Sequence, residues 1–569
     1  MSQQLADAPR RLRLVLIAVC IALMAVIASV SGLNVAQPDL AVAFGASQSA
    51  ILWIINVYTL GLAALLLPLG ALGDRLGRKP ALLAGLLVFG VANVVAGLAP
   101  NTEVMFAARL LSGLGAAMIM PVTLAVITAT FPAEQRGKAI GVWTGVAGGG
   151  GILGMFVSAL LVDVAGWRWL FVLPVVLVVV ALVMAVRYVP NSREREGRSY
   201  DVVGAVTSAV AVVGLILVLQ EGPARGWGDP LTLAALVAGL LAACCFVAWE
   251  LRRGEGALLD VRLFRSRGLA SGSVTLLAVF GVQAGIFVVL FPFFQAVLGW
   301  SALASTLGMM PMALLMMVSS GLAPKLAVRA GARATMVAGV ALAGAGLALM
   351  AGMVSVDGGH LSLLPGMLAM GAGMGLSMTP STEAITGALP RARQGVASAL
   401  NDVTREFGTA LGVALLGALL SAGYRHALAG RLDGVPHDTA ATAREGLANA
   451  VEAAPGAGDR ADALVDAARN AFVSGWQHAM WAGVGVMAAL CVYVAVRGPG
   501  RGAPEGAEDA GRAEGGRAAE ARTRKAAEAE ARRGAGCGSG RLRGEVRGRR
   551  RVDGRGRPGS RAPSPWCRA

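Results

Sequence analysis

The chain has 569 residues, 56% of them hydrophobic and only 15% charged, with a net charge of +16. Soluble domains carry about 25% charged residues, so a water-soluble globule cannot hide this much apolar surface. From Arg497 onward there are nineteen basic and nine acidic residues, so that stretch carries +10 and residues 1–496 only +6. No nucleic-acid role is therefore expected for the apolar body.

Leu14 to Val30 is an apolar run behind Arg10, Arg11 and Arg13. Another apolar run follows it rather than a soluble domain, so it reads as a first membrane span and not a cleavable signal. By the criterion of roughly 20 apolar residues per crossing, about fourteen helical spans are predicted. They fall near 14–34, 51–71, 81–99, 104–127, 139–162, 168–187, 202–220, 231–250, 270–292, 302–322, 333–353, 361–381, 396–421 and 473–496. Basic residues gather in alternate loops: Arg136 and Lys138; Arg193, Arg195 and Arg198; Arg252, Arg253, Arg262, Arg265 and Arg267; Lys325, Arg329 and Arg333; Arg391 and Arg393. The opposite short loops hold almost none, Arg168 and Arg225 excepted. This asymmetry predicts a multi-pass protein of the cytoplasmic membrane with both termini inside.

The long loop from Tyr424 to Phe472 is then external, with a short surface helix expected around Ala461 to Asn470. The six cysteines show neither metal spacing nor a disulfide framework. No metal or cofactor is expected. Beyond Arg497 the chain is rich in Ala, Gly, Arg and Glu and cannot bury a core. That composition reads first as an unselected disordered extension, with contact to anionic lipid or nucleic acid as the functional alternative.

Between the second and third spans stands Gly70-Ala-Leu-Gly-Asp-Arg-Leu-Gly-Arg-Lys-Pro80. Asp74, Arg75, Arg78 and Lys79 would each cost several kcal/mol in hydrocarbon, so this hinge lies at a membrane surface. Gly70 and Gly77 allow a tight turn and close backbone approach. The spacing resembles the signature in the second-to-third-helix loop of the major facilitator superfamily. A fainter copy without the Asp, Gly321 to Arg333, falls between spans ten and eleven. If spans seven and eight are an insertion, that is the equivalent place in a second six-helix half.

Inside the membrane, ionisable residues are functional candidates by default. Arg109 opens a small-residue stripe in span four; the other reading is an arginine snorkelling from a helix end. The superfamily carries an arginine here that is linked to proton handling, and Ser112 stands where it often has Gln. In span five, Gly141, Gly145, Gly148 and Gly154 with Ser158 let another backbone approach. The stretch Gly148 to Gly151 is not a phosphate loop, since no Gly-Lys-Ser/Thr follows. The region resembles the antiporter motif of the superfamily, with Met155 in place of its proline. Span one, at Leu33-Asn34-Val-Ala-Gln-Pro38, and span two, at Trp53-Ile-Ile-Asn56-Val-Tyr58, resemble segments where relatives have acids; Ser29 and Asn56 stand there instead.

Span thirteen supplies the acids. Asn401, Asp402, Arg405 and Glu406 share one helical face, and Arg405 can pair with Asp402 or Asn401. Two readings stand: a solvated ion pair at the inner lip, and a proton-linked gate whose carboxylate changes partner on protonation. Glu383, at the inner end of span twelve, can belong to the same cluster. Two stripes at helical spacing, including Phe287 and Phe291 on span nine and Met370 and Met374 on span twelve, can line a drug cavity together with Asn34 and Asn56. Adaptable methionines and aromatics suit many ligands, and the same periodicity suits plain packing.

With Gly166-Trp-Arg-Trp-Leu-Phe171 and Asn401 to Gly412 added, residues 10–496 are similar to the fourteen-helix drug:proton antiporters of the major facilitator superfamily. The resemblance implies an all-α integral membrane protein with two six-helix bundles and two extra central helices. The expected division is a cytoplasmic N-terminus (1–13), a first bundle (14–190), a linker with the two extra helices (191–268), a second bundle (269–496) holding the external loop 424–472, and a basic tail (497–569). It implies alternating-access export of a hydrophobic drug or antibiotic in exchange for protons, within the lipid bilayer. It also sets Asp74 against the start of span thirteen, with Arg75 and Arg78 adding ion pairs across the halves. Export of one endogenous metabolite or amino acid, or a non-transporting membrane sensor, are the alternatives. No nucleophile or cofactor loop points to an enzyme.

Overall fold

In a computed structural model that describes residues 2–192 and 200–500, all regular structure among the described residues is helical. The expectations for residues 501–569, and for Arg193, Arg195 and Arg198, lie outside the described residues. Fourteen of the described helices are long and apolar enough to cross a membrane. We label them α1 (Ser2–Val35), α2 (Gln48–Leu76), α3 (Arg78–Gly97), α4 (Thr102–Thr130), α5 (Ala133–Ala165), α6 (Val172–Tyr188), α7 (Val202–Arg225), α8 (Pro230–Arg253), α9 (Arg267–Pro292), α10 (Ala302–Ala330), α11 (Ala332–Met353), α12 (Gly359–Gly387), α13 (Gln394–Ala429) and α14 (Ala461–Arg497).

Helix ends follow local chemistry. Asn101, Asp201, Ser266 and Ser301 each precede a span and accept a hydrogen bond from a backbone N–H of its first turn, satisfying a donor with no helical partner. Gly77 (φ 114°) ends α2, and Gly331 (φ 90°) ends α10 at the equivalent place. These dihedrals are costly for any residue with a Cβ, so the weak sequence repeat is also a repeat of backbone shape.

The stretch 424–472 departs from expectation. It is largely helical: α13 runs on to Ala429, and short helices follow at His437–Glu445 and Leu447–Ala453. The surface helix expected around Ala461 to Asn470 is the first part of α14. Leu464, Ala468 and Ala471 recur at helical spacing and are buried, which joins this segment to the span.

α1 packs on α4, α5 and α6, while α4 also packs on α2 and α3. α9 packs on α12, α13 and α14, and α12 on α10 and α11. The two groups meet where α5 lies on α10 and α12, and where α2 and α4 lie on α13. α7 packs on α8, α2 and α13. Only 11% of the apolar window of α8 is buried, leaving its other faces for lipid.

Candidate functional site

The hinge between α2 and α3 grips α13. Asp74 is 2% exposed. Its Oδ1 accepts from Arg78 Nη2 at 2.8 Å and Nε at 3.0 Å. Its Oδ2 accepts the backbone N–H groups of Gly395 at 2.7 Å and Val396 at 3.2 Å. A helix start leaves its first N–H groups unpaired and carries positive dipole charge, so a carboxylate is the fitting cap. Here the cap comes from the other half of the chain. Gly70 makes this possible: a Cβ there would stand 2.7 Å from the Gly395 carbonyl oxygen.

Arg78 crosses the halves through the Arg391 carbonyl, at 2.9 Å, rather than through an acidic side chain. Arg75 is exposed, and among the described residues it makes no ion pair. Lys79 Nζ donates to the Val186 carbonyl at 2.6 Å. The hinge is also tied to the segment leading into α7. Arg78 N–H donates to the Ser192 carbonyl at 2.9 Å, Arg78 Nη1 to Ser192 Oγ at 3.4 Å, and Tyr200 Oη to the Pro68 carbonyl at 3.0 Å.

Farther along α13, Asp402 is 0% exposed, so it is not a solvated residue at a lip. Arg405 Nη1 donates to Asp402 Oδ1 at 3.4 Å, and Asn401 Nδ2 donates to the same oxygen at 3.3 Å. Asn401 thus bonds Asp402 and not Arg405. Arg405 reaches the first half: its Nη2 donates to the Ala147 carbonyl at 3.5 Å, and its guanidinium lies 5.8 Å from the Trp143 ring and 4.4 Å from Phe280. These long bonds leave Asp402 Oδ2 and Arg405 Nε without a partner. Glu406 is half-buried and near enough to Tyr58 for its charge to be felt there. Glu383 belongs elsewhere. It lies against Gly137 at the start of α5 and faces Arg136.

Arg109 is 0% exposed, which sets aside snorkelling. Its Nη1 donates to Ser29 Oγ at 3.0 Å, and its guanidinium stacks over Tyr58, 4.3 Å from the ring centroid. Ser29 Oγ donates onward to Asn93 Oδ1 at 3.2 Å.

The glycines of α5 divide by position. A Cβ at Gly141 would stand 2.7 Å from the Ser320 carbonyl oxygen, at Gly145 3.4 Å from Met317 Cα, and at Gly148 2.9 Å from Met316 Cε. Those three admit α10. A Cβ at Gly154 would meet Ala28 Cα at 3.2 Å, and Ser158 Oγ fills the space beside Gly32, so this end admits α1. Of the cavity candidates, Met370 and Met374 are buried in the core, while Asn56, Phe287 and Phe291 are partly buried. The side chain of Asn34 lies outside the described residues.

Sequence inspection did not single out Tyr58, Asn93 or Trp143. Tyr58 and Trp143 each carry one polar atom on an apolar body, and Asn93 carries a short amide. The available signal was a polar group inside an otherwise apolar span, since buried polar groups are normally bonded.

These features define a helical membrane transporter with two halves. The Major Facilitator Superfamily profile matches residues 19–413, and the chain belongs to that family. Multidrug resistance protein Stp of Mycobacterium tuberculosis is 31% identical over 390 residues, covering 68% of this chain and 72% of Stp. The tetracenomycin C resistance and export protein of Streptomyces glaucescens is 32% identical over 408 residues, covering 71% and 75%. Among solved structures, the proton:xylose symporter XylE has the same fold, with a TM-score of 0.56 at 15% identity over 86% of this chain and 96% of that one.

Proposed function

We propose that the protein exports drugs or antibiotics across the cytoplasmic membrane in exchange for protons, by alternating access, with the hinge face toward the cytoplasm. The observation that carries this reading is the double hold on α13. One helix of the second half is capped by Asp74 of the first and, two to three turns on, reaches back to α5 through Arg405. Both holds involve a carboxylate. Protonation weakens the pull of a carboxylate on an arginine, so proton binding can bias one conformation over the other. A transporter needs such differential binding, because a ligand shifts an equilibrium only by its difference in affinity between the two states.

The glycine contacts of Gly141, Gly145 and Gly148 with α10 lie on the other meeting face of α5 and let it close without intervening side chains. The relatives named for drug resistance support the cargo class. A second reading, export of one endogenous metabolite, is favoured by the relative named for tetracenomycin C export.

Inside-out vesicles given a panel of dyes and antibiotics in the outer solution test both readings. Uptake that needs a proton gradient and stops with an uncoupler is the expected result. Uptake unchanged at zero gradient would sink the exchange mechanism, and acceptance of a single compound class would favour the metabolite exporter.

A further inference from the structure

Among the described residues of the first half, Arg109 is a buried cation with no counter-anion. Arg109 makes no ion pair with any described acidic residue. Its side-chain neighbours on the facing helices are neutral: Ser29 on α1, Tyr58 on α2 and Asn93 on α3, with Glu406 of α13 beyond the tyrosine. Only Nη1 is used. Nε and Nη2 have no partner, and neither has the Tyr58 hydroxyl, although all three atoms are buried.

These unused atoms have a definite geometry. Nε and Nη2 form the side edge of the guanidinium, the fork that carboxylates and other oxyanions engage through two parallel hydrogen bonds. A buried cation whose donors face no acceptor is costly. An acceptor carrying negative charge relieves both deficits at once. Within one helical turn of Arg109 or Tyr58, Ile54, Ile55, Met105 and Ala108 are buried and apolar. Such surroundings suit the hydrocarbon body of an organic acid better than a hydrated inorganic ion.

We propose that Arg109 and Tyr58 receive the acidic group of an organic anion, so that the cargo is an amphiphile bearing a carboxylate or similar oxyanion. The proposal rests on the exporter reading above and narrows its substrate class. Ser29 is central to the specificity. A carboxylate in its place would satisfy Arg109 from within the protein and leave the fork closed to an acidic ligand; the serine leaves the charge for the cargo.

The test is equilibrium binding of a matched fluorescent pair, 1-pyrenebutyrate and 1-pyrenebutylamine, to the purified full chain in lipid nanodiscs without any gradient. The wild type should bind the carboxylate at least about tenfold more tightly than the amine. Ser29→Asp should reverse that order, and Arg109→Lys, which keeps charge but loses the fork, should weaken the carboxylate by a similar factor. Should Arg109→Lys fail to fold, Ser29→Asp alone decides. Equal affinities for the two probes, or an unchanged order in Ser29→Asp, would overturn the proposal. So would displacement of pyrenebutyrate by chloride as readily as by a second organic acid. Gradient-driven dye efflux, measured separately in vesicles, keeps the two ideas apart: its persistence beside equal probe affinities removes the anion site and leaves the exporter standing.

Discussion

Asp74 Oδ2 and the backbone N–H of Gly395 are 2.7 Å apart across 321 residues of chain. A side chain from one half thus completes the first turn of a helix in the other. Neutralising it should loosen the hinge face without touching the interior. In Asp74→Asn, the pair with Arg78 is lost, and removing one partner of a buried pair costs about 3–5 kcal/mol. Transport should slow by about tenfold or more while cargo affinity stays within about twofold. Spin labels on exposed Glu134 and Arg329 should report a broader distance distribution at the hinge face. A distribution matching wild type would remove the clasp role.

The second hold should carry the pH dependence. When Asp402 is ionised it attracts Arg405; when it takes a proton that attraction ends. Lowering pH therefore favours the arrangement in which Arg405 has left Asp402, and raising pH favours the arrangement seen here. Asp402→Asn fixes the protonated case. Gradient-driven accumulation should fall at least about tenfold, while cargo exchange at zero gradient continues and loses its pH dependence. A normal pH profile in this variant would move the proton site to another residue.

Packing of α5 on α10 can be tested by size alone. A Cβ at Gly141 meets backbone at 2.7 Å, whereas one at Gly321 meets nothing within 4 Å. Gly141→Val should therefore force the seam apart, at the cost of about 1–3 kcal/mol usual for overpacking. The labels on Glu134 and Arg329 should move farther apart. Gly321→Ala should leave both the distance and thermal stability near wild type. Equal behaviour of the two variants would mean that the close approach is dispensable.

Tyr200→Phe removes one hydrogen bond, to the Pro68 carbonyl, and little else. A typical net contribution is about 0.5–1.5 kcal/mol. A small loss of thermal stability is expected, together with faster deuterium exchange at the amides around the hinge. Exchange that speeds only within α7 would mean that the tie does not reach the hinge.

Much of the architecture was legible because hydrocarbon imposes a length and excludes charge. The fourteen spans and the surface position of Gly70 to Pro80 follow from those two rules. Gly141, Gly145 and Gly148 were readable as packing positions because glycine within a span has few other uses. Other features were not readable. Hydropathy does not say that Glu383 would face Arg136 of α5 rather than Asp402 of α13, because it does not fix which helices pack against the inner end of α12. Nor does helical spacing say that Asn401 would turn to Asp402, since Asn401 and Arg405 can pair with each other or with that carboxylate. Tyr58 escaped notice because its ring belongs in an apolar span, and only the third dimension sets Arg109 above it.

The ties from the hinge to Ser192 and Tyr200 bear on how force passes along the chain. Both precede α7, and both fasten to α2 or α3, so α7 and α8 are moored to the first half before the chain crosses to the second. The stretch after α8 is fastened back on it in turn, through Leu259 N–H to Glu250 and Arg262 to the Leu251 carbonyl. In the alternating-access reading, a long connection between two rocking bodies would ordinarily act as slack rope. Here α7 packs against α2 of the first half, and in that reading the α7 face that touches α13 becomes a bearing surface over which the second half slides.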